Sequence, residues 1–241
     1  MSQIKPVGLF GKLPAHGDFI YRNLPTNFIN GWDTWLQGFI GSSKEQLGES
    51  WLDIYLTSPI WRFAFSEGVI DERVWAGIVL PSVDRVGRYF PFSIATSLPV
   101  GMNPLEVITQ SAWFESIETA ALKGLDGQLQ IDDLVDDINQ YKLIQSMIYQ
   151  PVMADAENIG AVIKMDFEEQ SLQSVYPFLF DAALRKNLSS YSVWSTRGSN
   201  YVEPCIFYAR GLPQMRGIAA MLDGNWESWG WNEPYRLKPA Q

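Results

Sequence analysis

The only histidine of the chain lies two residues before an acid, in the segment PAHGD at positions 14–18. A carboxylate beside an imidazole can orient the ring and raise its pKa, which is the arrangement of a general acid–base pair. However, no Gly-X-Ser-X-Gly nucleophile motif accompanies the pair, and closeness in sequence does not establish a hydrogen bond. We therefore favour a structural or binding role for His16 and Asp18 over a catalytic one.

The densest polar cluster is the segment PSVDRVGRYFP at positions 81–91, which lies between two predicted strands. This position crowds Asp84, Arg85 and Arg88 at one edge of the predicted sheet. Two arginines near an acid can bind a carboxylate or a phosphate in a bidentate manner. The alternative, which we favour, is an arginine–aspartate network that only holds the turn. Ser82 has no base beside it, so we do not assign it as a nucleophile.

The composition argues against several classes of function. The 241 residues include 27 acids and 18 bases, and the resulting net charge of −9 disfavours nucleic acid and anionic membrane surfaces as partners. One cysteine and one histidine cannot form an internal disulfide or a structural zinc site, and we predict no metal and no cofactor. The sequence shows no signal peptide and no transmembrane window, so we expect a cytoplasmic protein that does not insert into a membrane.

The negative charge is concentrated in one region. Residues 126–169 hold ten acids against two bases, a net charge of −8, so the rest of the chain is nearly neutral. We interpret this region as a solvated helix face. The alternative is a second contact surface for a basic partner, whose binding would weaken with added salt.

The elements of the first half follow from hydrophobic spacing. A short strand over 4–10 precedes the histidine loop, and a helix that begins at Thr26 is expected to be interrupted at Gly41 and Ser42. A second helix follows and is stopped by Pro59. Strands are predicted over 60–66, 74–80 and 89–97. Their short connections indicate an antiparallel meander.

The second half alternates again between helices and strands. A helix is expected to begin at Asn103-Pro104, which supplies an N-cap side chain and a first-turn proline, and to run to Gly124. The further predicted elements are helices over 131–148 and 171–187, a strand over 159–167, strands over 191–196 and 205–210, and a short helix over 214–222.

Tryptophan is abundant, and its positions suggest two roles. Trp32, Trp35, Trp51 and Trp61 fall at helical or strand spacing and are predicted to be core, and Cys205 is predicted to be a small buried hydrophobe. Three tryptophans in the turn-like segment 226–231 have no regular face, so they either cover the domain as a lid, which we favour, or form a partner patch. We predict one domain over 1–222, in which residues 1–124 are rich in motifs and residues 125–222 are acidic, and a Trp-rich tail over 223–241.

Four segments together resemble a known family. They are GLFGKLPAHGDF at 8–19, WDTWL at 32–36, YLTSPIWRF at 55–63 and PSVDRVGRYFP at 81–91. These blocks are similar to those of the TagF (ImpM) family, which is associated with bacterial type VI secretion systems, and the resemblance covers roughly residues 7–100. The family's signature positions are matched here by Gly11, Pro14, Gly17, Asp18, Trp61, Arg62, Pro81, Asp84, Arg85, Gly87 and Arg88.

The resemblance implies both a fold and a function. The expected fold is α/β, a three-layer α/β/α sandwich with a mixed, largely antiparallel central sheet. The expected function is that of a cytoplasmic, non-enzymatic, post-translational negative regulator that binds the forkhead-associated scaffold protein of the secretion system. No catalytic residue is carried over. The candidate interaction or ligand-binding residues are His16, Asp18, Arg62, Asp84, Arg85 and Arg88.

An alternative from another class uses the same cluster. Asp84, Arg85 and Arg88 would then belong to an enzyme or a sensor of a small phosphate-bearing ligand. This alternative requires both arginines to converge on an apolar pocket, whereas the regulator requires only that the residues form a surface. The sequence does not predict the oligomeric state.

Overall fold

A seven-stranded sheet forms the centre of the protein. The computed structural model describes residues 6–99, 101–143, 160–166, 168 and 170–237. The strands are β1 (Gly8–Gly11), β2 (Ile20–Arg22), β3 (Trp61–Phe65), β4 (Val74–Leu80), β5 (Phe92–Leu98), β6 (Tyr191–Thr196) and β7 (Cys205–Arg210). Their order across the sheet is β2-β1-β5-β4-β3-β6-β7, and all pairings between these strands are antiparallel. The prediction of a largely antiparallel sheet is thus confirmed, although no pairing between these strands is parallel, as a mixed sheet would require.

Helices cover both faces of this sheet. They are α1 (Thr26–Leu47), α2 (Trp51–Leu56), α3 (Pro104–Val107), α4 (Ser111–Leu125), α5 (Ile131–Asn139), α6 (Leu172–Arg185) and α7 (Ala220–Asp223). Single 3-10 turns lie at Gly48–Ser50, Met215–Gly217 and Glu227–Trp229. No helix within the described ranges combines the length and the apolar character that a bilayer crossing needs.

The two faces of the sheet carry different cores because successive strand side chains point to opposite sides. In β3, Phe63 and Phe65 join an aromatic cluster under α1 and α2, whereas Ala64 faces an aliphatic cluster under α4 and α5. In β4, Trp75 belongs to the aromatic side and Ile78 to the aliphatic side. Helices above and below one sheet make three layers, so the predicted α/β/α arrangement is confirmed.

Several elements match their predictions closely. Strands β3, β4 and β5 form the predicted antiparallel meander, and β6 and β7 have the predicted bounds. The predicted interruption of the first helix at Gly41 is wrong, because α1 continues to Leu47. A glycine inside a helix costs only about 1 kcal/mol relative to alanine. Packing offsets that cost here, since Ser43, two residues later, is buried and its hydroxyl accepts a 2.9 Å hydrogen bond from the Trp51 indole.

Other predictions need correction. The helix predicted from 103 to 124 is two helices, and Asn103 caps the first by accepting a 2.9 Å hydrogen bond from the Leu105 amide. Strand β2 was not predicted, since its three residues are too few to show a period. Residues 160–166 form no regular element, so the strand predicted over 159–167 is wrong there. The helix predicted over 131–148 ends at Asn139, and the positions after 143 lie outside the described residues.

The tryptophans predicted to be core are all buried, and the C-terminal tryptophans return to the sheet. Trp226 and Trp231 pack edge-on against Phe207 of β7, at centroid distances of 5.3 and 5.0 Å. The Trp229 indole donates to Asp223 at 2.8 Å, which fixes the turn between them. This segment therefore covers the aromatic face, in agreement with the lid interpretation. The division into a domain over 1–222 and a tail over 223–241 stays a prediction.

Candidate functional site

The turn around Asp84 is built on one buried carboxylate. Its Oδ2 accepts hydrogen bonds from Lys12 Nζ at 2.9 Å and from Arg88 Nε at 2.6 Å, and its Oδ1 accepts from the amides of Val86 and Arg88 at 3.0 and 2.9 Å. Burial of this carboxyl raises its pKa. The hydrogen bonds from Arg88, Lys12 and Val86 outweigh that effect and hold the pKa of Asp84 well below its usual range. Asp84 is therefore ionised and committed to holding the turn.

Lys12 and Ser82 fasten this turn to strand β1. Lys12 is buried directly after Gly11, and its carbonyl accepts a 2.7 Å hydrogen bond from the Ser82 hydroxyl. The Tyr55 hydroxyl donates to the Ser82 carbonyl at 3.0 Å, and burial raises the pKa of this tyrosine. Gly11 has a φ of +130°, and a Cβ added there would lie 2.1 Å from the Pro91 carbonyl oxygen. Only glycine therefore fits at this end of β1.

Two further hydrogen bonds join the Asp84 turn to the histidine loop. The Arg85 amide donates to the His16 carbonyl at 2.9 Å, and the Arg88 guanidinium donates to the Gly17 carbonyl through a short hydrogen bond. The structure thus brings two sequence motifs, about seventy residues apart, into one surface. His16 and Asp18 lie at this surface beside Arg85.

An open cleft of about 340 Å³ lies on this surface. It is lined by Ala15, His16, Gly17, Asp18, Phe19, Ile20, Arg22, Arg85 and Ile131. The Phe19 ring forms part of the cleft wall, and Lys12 Nζ lies 5.0 Å from its centroid. Separately, Arg22 Nε lies 3.7 Å from the carboxylate of Asp132. Charges of both signs therefore surround the cleft.

The two arginines of the cluster have different roles. Arg88 is occupied by Asp84 and by the Gly17 carbonyl, as expected for a network that holds the turn. Arg85 uses only its backbone in the turn, and its exposed side chain lines the cleft. The enzyme or sensor alternative requires the guanidinium groups of Arg85 and Arg88 to converge on one apolar pocket. In the structure they do not converge.

Arg62 does not join the other five predicted site residues. It is buried in β3 and forms a bidentate ion pair with Glu118 of α4, with Nε–Oε1 and Nη2–Oε2 distances of 2.5 and 2.9 Å. Its guanidinium carbon also lies 5.4 Å from the centroid of the Phe114 ring. These contacts fasten α4 to the sheet, and Arg62 takes no part in lining the cleft.

Arg22 and Ile131 are cleft residues that the sequence interpretation missed. Arg22 ends strand β2, which was not predicted, and Ile131 begins helix α5. Neither carries a local motif, and their proximity to Arg85 arises only from the pairing of β2 with β1 and the packing of α5 on α4. No signal in the sequence could have identified them.

The family model of the TagF N-terminal domain, described as type VI secretion system-associated, matches residues 8–141. This match covers more than half of the chain. The chain belongs to the TagF N-terminal domain family. The chain is also similar to the crystal structure of PA0076 from Pseudomonas aeruginosa PAO1, with 29% identity, a TM-score of 0.75, and coverage of 98% of this chain and 99% of that one. No curated protein sequence matches it.

The TagF match includes every residue that lines the cleft, and the positions on which the sequence resemblance rests have two different roles in the structure. Most of those discussed above build the framework: Gly11 ends β1, Arg62 anchors α4, and Asp84 with Arg88 closes the turn. Gly17, Asp18 and Arg85 instead line the cleft. In the portion of the chain that the structure describes, no three His, Cys, Asp or Glu residues form a group that could hold a metal ion.

Proposed function

We propose that this chain is a cytoplasmic, non-enzymatic, post-translational repressor of a bacterial type VI secretion system that acts by binding the forkhead-associated scaffold protein of the apparatus. The observation that carries the proposal is the cleft beside Arg85, which lies within the region matched by a family associated with these systems. The Asp84 turn holds this surface in place, since the turn is bonded to β1 and to the histidine loop.

The chemistry available at the cleft favours recognition over catalysis. Asp84 is fully occupied by its four hydrogen bonds, and the Ser82 hydroxyl donates to the Lys12 carbonyl. Among the described residues, no hydrogen bond joins the His16 ring to Asp18 or to a nucleophile. The groups that remain available for function are the exposed charges around the cleft, which we call the rim.

A charged rim of this kind suits a protein partner. Arg85 offers an exposed planar guanidinium, and arginine is enriched among the residues that dominate interface energies. Arg22 and Asp18 add one charge of each sign, which can set the orientation of a partner. In this proposal Arg85 is the central contact, and Arg88 acts only by positioning the loop.

Co-purification with the scaffold protein tests the proposal. We expect Arg85→Ala to reduce capture of the scaffold by about tenfold, an effect typical of the loss of one important interface side chain. Arg216→Ala is the matched control, since it removes another exposed arginine that does not line the cleft. Secretion assays in cells should show derepression by the first variant alone. Full capture and repression by Arg85→Ala would remove this surface from the proposal.

The second candidate is a phosphate-bearing small ligand bound by Arg22 and Arg85, and not by the Arg85–Arg88 pair that the sequence suggested. The observation that favours it is that Arg22 and Arg85 both line the cleft. A ligand present at 100 times its dissociation constant stabilises a protein by about 2.7 kcal/mol, so nucleotides can be screened by thermal shift. A shift seen with the parent chain and lost in Arg85→Ala would support this candidate. Equal unfolding temperatures with and without nucleotides would contradict it.

A further inference from the structure

Carboxylates are the usual partners of arginine in this chain. Four arginines donate a hydrogen bond to a carboxylate oxygen: Arg62, Arg88, Arg185 and Arg197. Such pairing is expected where 27 acids outnumber 18 bases. The two arginines that line the cleft, Arg22 and Arg85, differ from these four, because neither donates to a carboxylate among the described residues.

The guanidinium of Arg85 lies at the cleft without an acid beside it. A Cβ added at Gly17 would lie 3.5 Å from Nη2 of Arg85, so the guanidinium lies against the histidine loop. Among the described residues, no group accepts a hydrogen bond from this guanidinium. Its N–H donors are therefore available, and a carboxylate is a group whose geometry matches them.

Arg22 reaches the same cleft from the edge strand β2. Its Nη1 donates to the Tyr21 carbonyl at 2.9 Å, and its Nε lies 3.7 Å from Oδ1 of Asp132. The second distance is too long for a hydrogen bond, and the Asp132 side chain is 90% exposed. Exposed ion pairs of this kind contribute little to stability, so a carboxylate from another molecule can replace Asp132 beside Arg22.

The lining of the cleft is positive, although the chain as a whole is negative. Apart from His16, its ionisable residues are Arg22, Arg85 and Asp18, whereas the whole chain has a net charge of −9. Asp18 is exposed, and in the described part of the chain it forms no ion pair with either arginine. It lowers the positive charge of the cleft but occupies neither guanidinium. The cleft is therefore a local site of attraction for negative groups.

The apolar part of the cleft wall favours a protein segment over a single phosphate group. The Phe19 ring is 45% exposed and packs edge-on against Phe90 at a centroid distance of 4.8 Å. Ile131, on the opposite side of the sequence match, is half-buried in the same lining. A cleft of about 340 Å³ has room for several side chains, whose apolar parts can contact these residues while their carboxylates bind the arginines.

We infer that the cleft binds an acidic segment of a protein partner. Arg85 and Arg22 bind the carboxylates of this segment, and Asp132 is displaced from Arg22 when the segment binds. Asp132 therefore limits the affinity, because the partner must compete with a carboxylate of the chain itself. This inference rests on the proposed function, for which it specifies the chemistry that the partner presents to the cleft.

Fluorescence anisotropy with labelled hexaglutamate tests the inference directly. We expect the parent chain to bind this peptide, to release it as salt is added, and not to bind hexaglutamine. Arg85→Ala and Arg22→Ala should each weaken binding by about tenfold. Arg216→Ala is the matched control, since this exposed arginine does not line the cleft. A parent chain that does not bind hexaglutamate at low salt, or equal binding by Arg85→Ala, would overturn the inference.

The opposite change in affinity tests the role of Asp132. Asp132→Asn should tighten hexaglutamate binding by about threefold, because it frees Arg22 from a weak ion pair. Asp133→Asn is the matched control, since it removes the same charge from the next exposed position. Unfolding midpoints should show that both variants fold. Equal affinities for the two variants would mean that only net charge matters, and the competition by Asp132 would be excluded.

Competition with the scaffold protein separates failure of this inference from failure of the proposed function. If both hold, excess hexaglutamate should release the captured scaffold. Capture that depends on Arg85 but resists hexaglutamate would overturn the acidic segment and leave the proposed function intact. Hexaglutamate binding that depends on Arg85, together with full scaffold capture by Arg85→Ala, would support the acidic-segment site and contradict the scaffold as its partner.

The same variants distinguish an acidic segment from a phosphate-bearing ligand. A nucleotide-induced thermal shift that is lost in Arg85→Ala, in a chain that does not bind hexaglutamate, would assign the cleft to the small ligand and overturn the inference. Hexaglutamate binding without any nucleotide-induced shift would support the acidic segment.

Discussion

Two arginines three residues apart in one turn have different roles. Arg88 is bonded to the Asp84 carboxylate and to the Gly17 carbonyl, so it serves the framework. Arg85 makes only a backbone hydrogen bond to the His16 carbonyl in that turn and presents its side chain at the cleft. The framework and the rim therefore share a single motif. Substitutions should separate them, since framework residues govern stability and rim residues govern binding.

The largest effect is expected for Asp84→Ala. This substitution leaves Lys12 buried without its carboxylate partner and removes the acceptor of four hydrogen bonds. The urea midpoint should fall further than for any of the other variants, and scaffold binding should fall with it. Asp18→Ala is the matched control, because it removes an exposed acid from the adjacent loop. Equal midpoints for the two variants would contradict the assignment of Asp84 to the framework.

A second large effect is expected for Glu118→Ala, which tests whether Arg62 belongs to the framework. Removing one partner of a buried ion pair costs about 3–5 kcal/mol, because the remaining charge is left uncompensated. The free energy of unfolding, measured in urea, should fall by roughly that amount. The double variant Arg62→Met, Glu118→Leu should recover most of the loss. If Glu118→Ala weakened scaffold binding and left stability unchanged, Arg62 would have to be assigned to the binding site and not to the framework.

The contributions of two buried carboxyl groups, Asp84 and Glu106, to stability should change with pH in opposite directions. Asp84 has a lowered pKa, so its contribution to stability is present above its ordinary value of 3.8 and is lost as the pH falls. Burial raises the pKa of Glu106 to about 7, and its Oε2 has no hydrogen-bond partner in the described structure. The contribution of Glu106 is therefore fully present below its ordinary value of 4.5 and is lost as the pH rises through about 7.

Urea unfolding at several pH values can isolate the Glu106 effect. Glu106→Gln should remove a decrease in unfolding free energy between pH 4.5 and about 7, since glutamine does not titrate. Glu72→Gln, at an exposed glutamate, should leave that decrease unchanged. A parent chain whose stability is flat over this interval would contradict the raised pKa. This effect is smaller than the first two because it removes no partner.

The framework was more predictable from the sequence than the cleft. Strands β4, β6 and β7 have apolar runs bounded by turn residues, so periodicity predicted their bounds. The Asp84–Arg88 network was also foreseeable, because an acid and an arginine four residues apart in a turn can pair locally. Local patterns of this kind need no knowledge of the tertiary structure.

The errors share a different physical origin. Gly41 carries a real local cost, but burial of Ser43 and its bond to Trp51 override it. Arg62 looked like a site residue, whereas its partner Glu118 is 56 positions away and belongs to another helix. Arg22 reaches the cleft only through the pairing of β2 with β1. Each error arises from a tertiary contact that no local pattern contains.

The smallest effect on stability, and the sharpest separation of framework from rim, is expected for Arg85→Ala. Its exposed side chain takes no part in the Asp84 network, and surface substitutions of this kind usually change stability by about 0.5 kcal/mol or less. Arg88→Ala, three residues away, should lower the urea midpoint clearly, because Arg88 Nε is a 2.6 Å partner of Asp84. Calorimetry with the purified scaffold protein should then find loss of binding in Arg85→Ala at nearly unchanged stability. Equal destabilisation by the two substitutions would show that Arg85 also belongs to the framework, and the rim would lose its central residue.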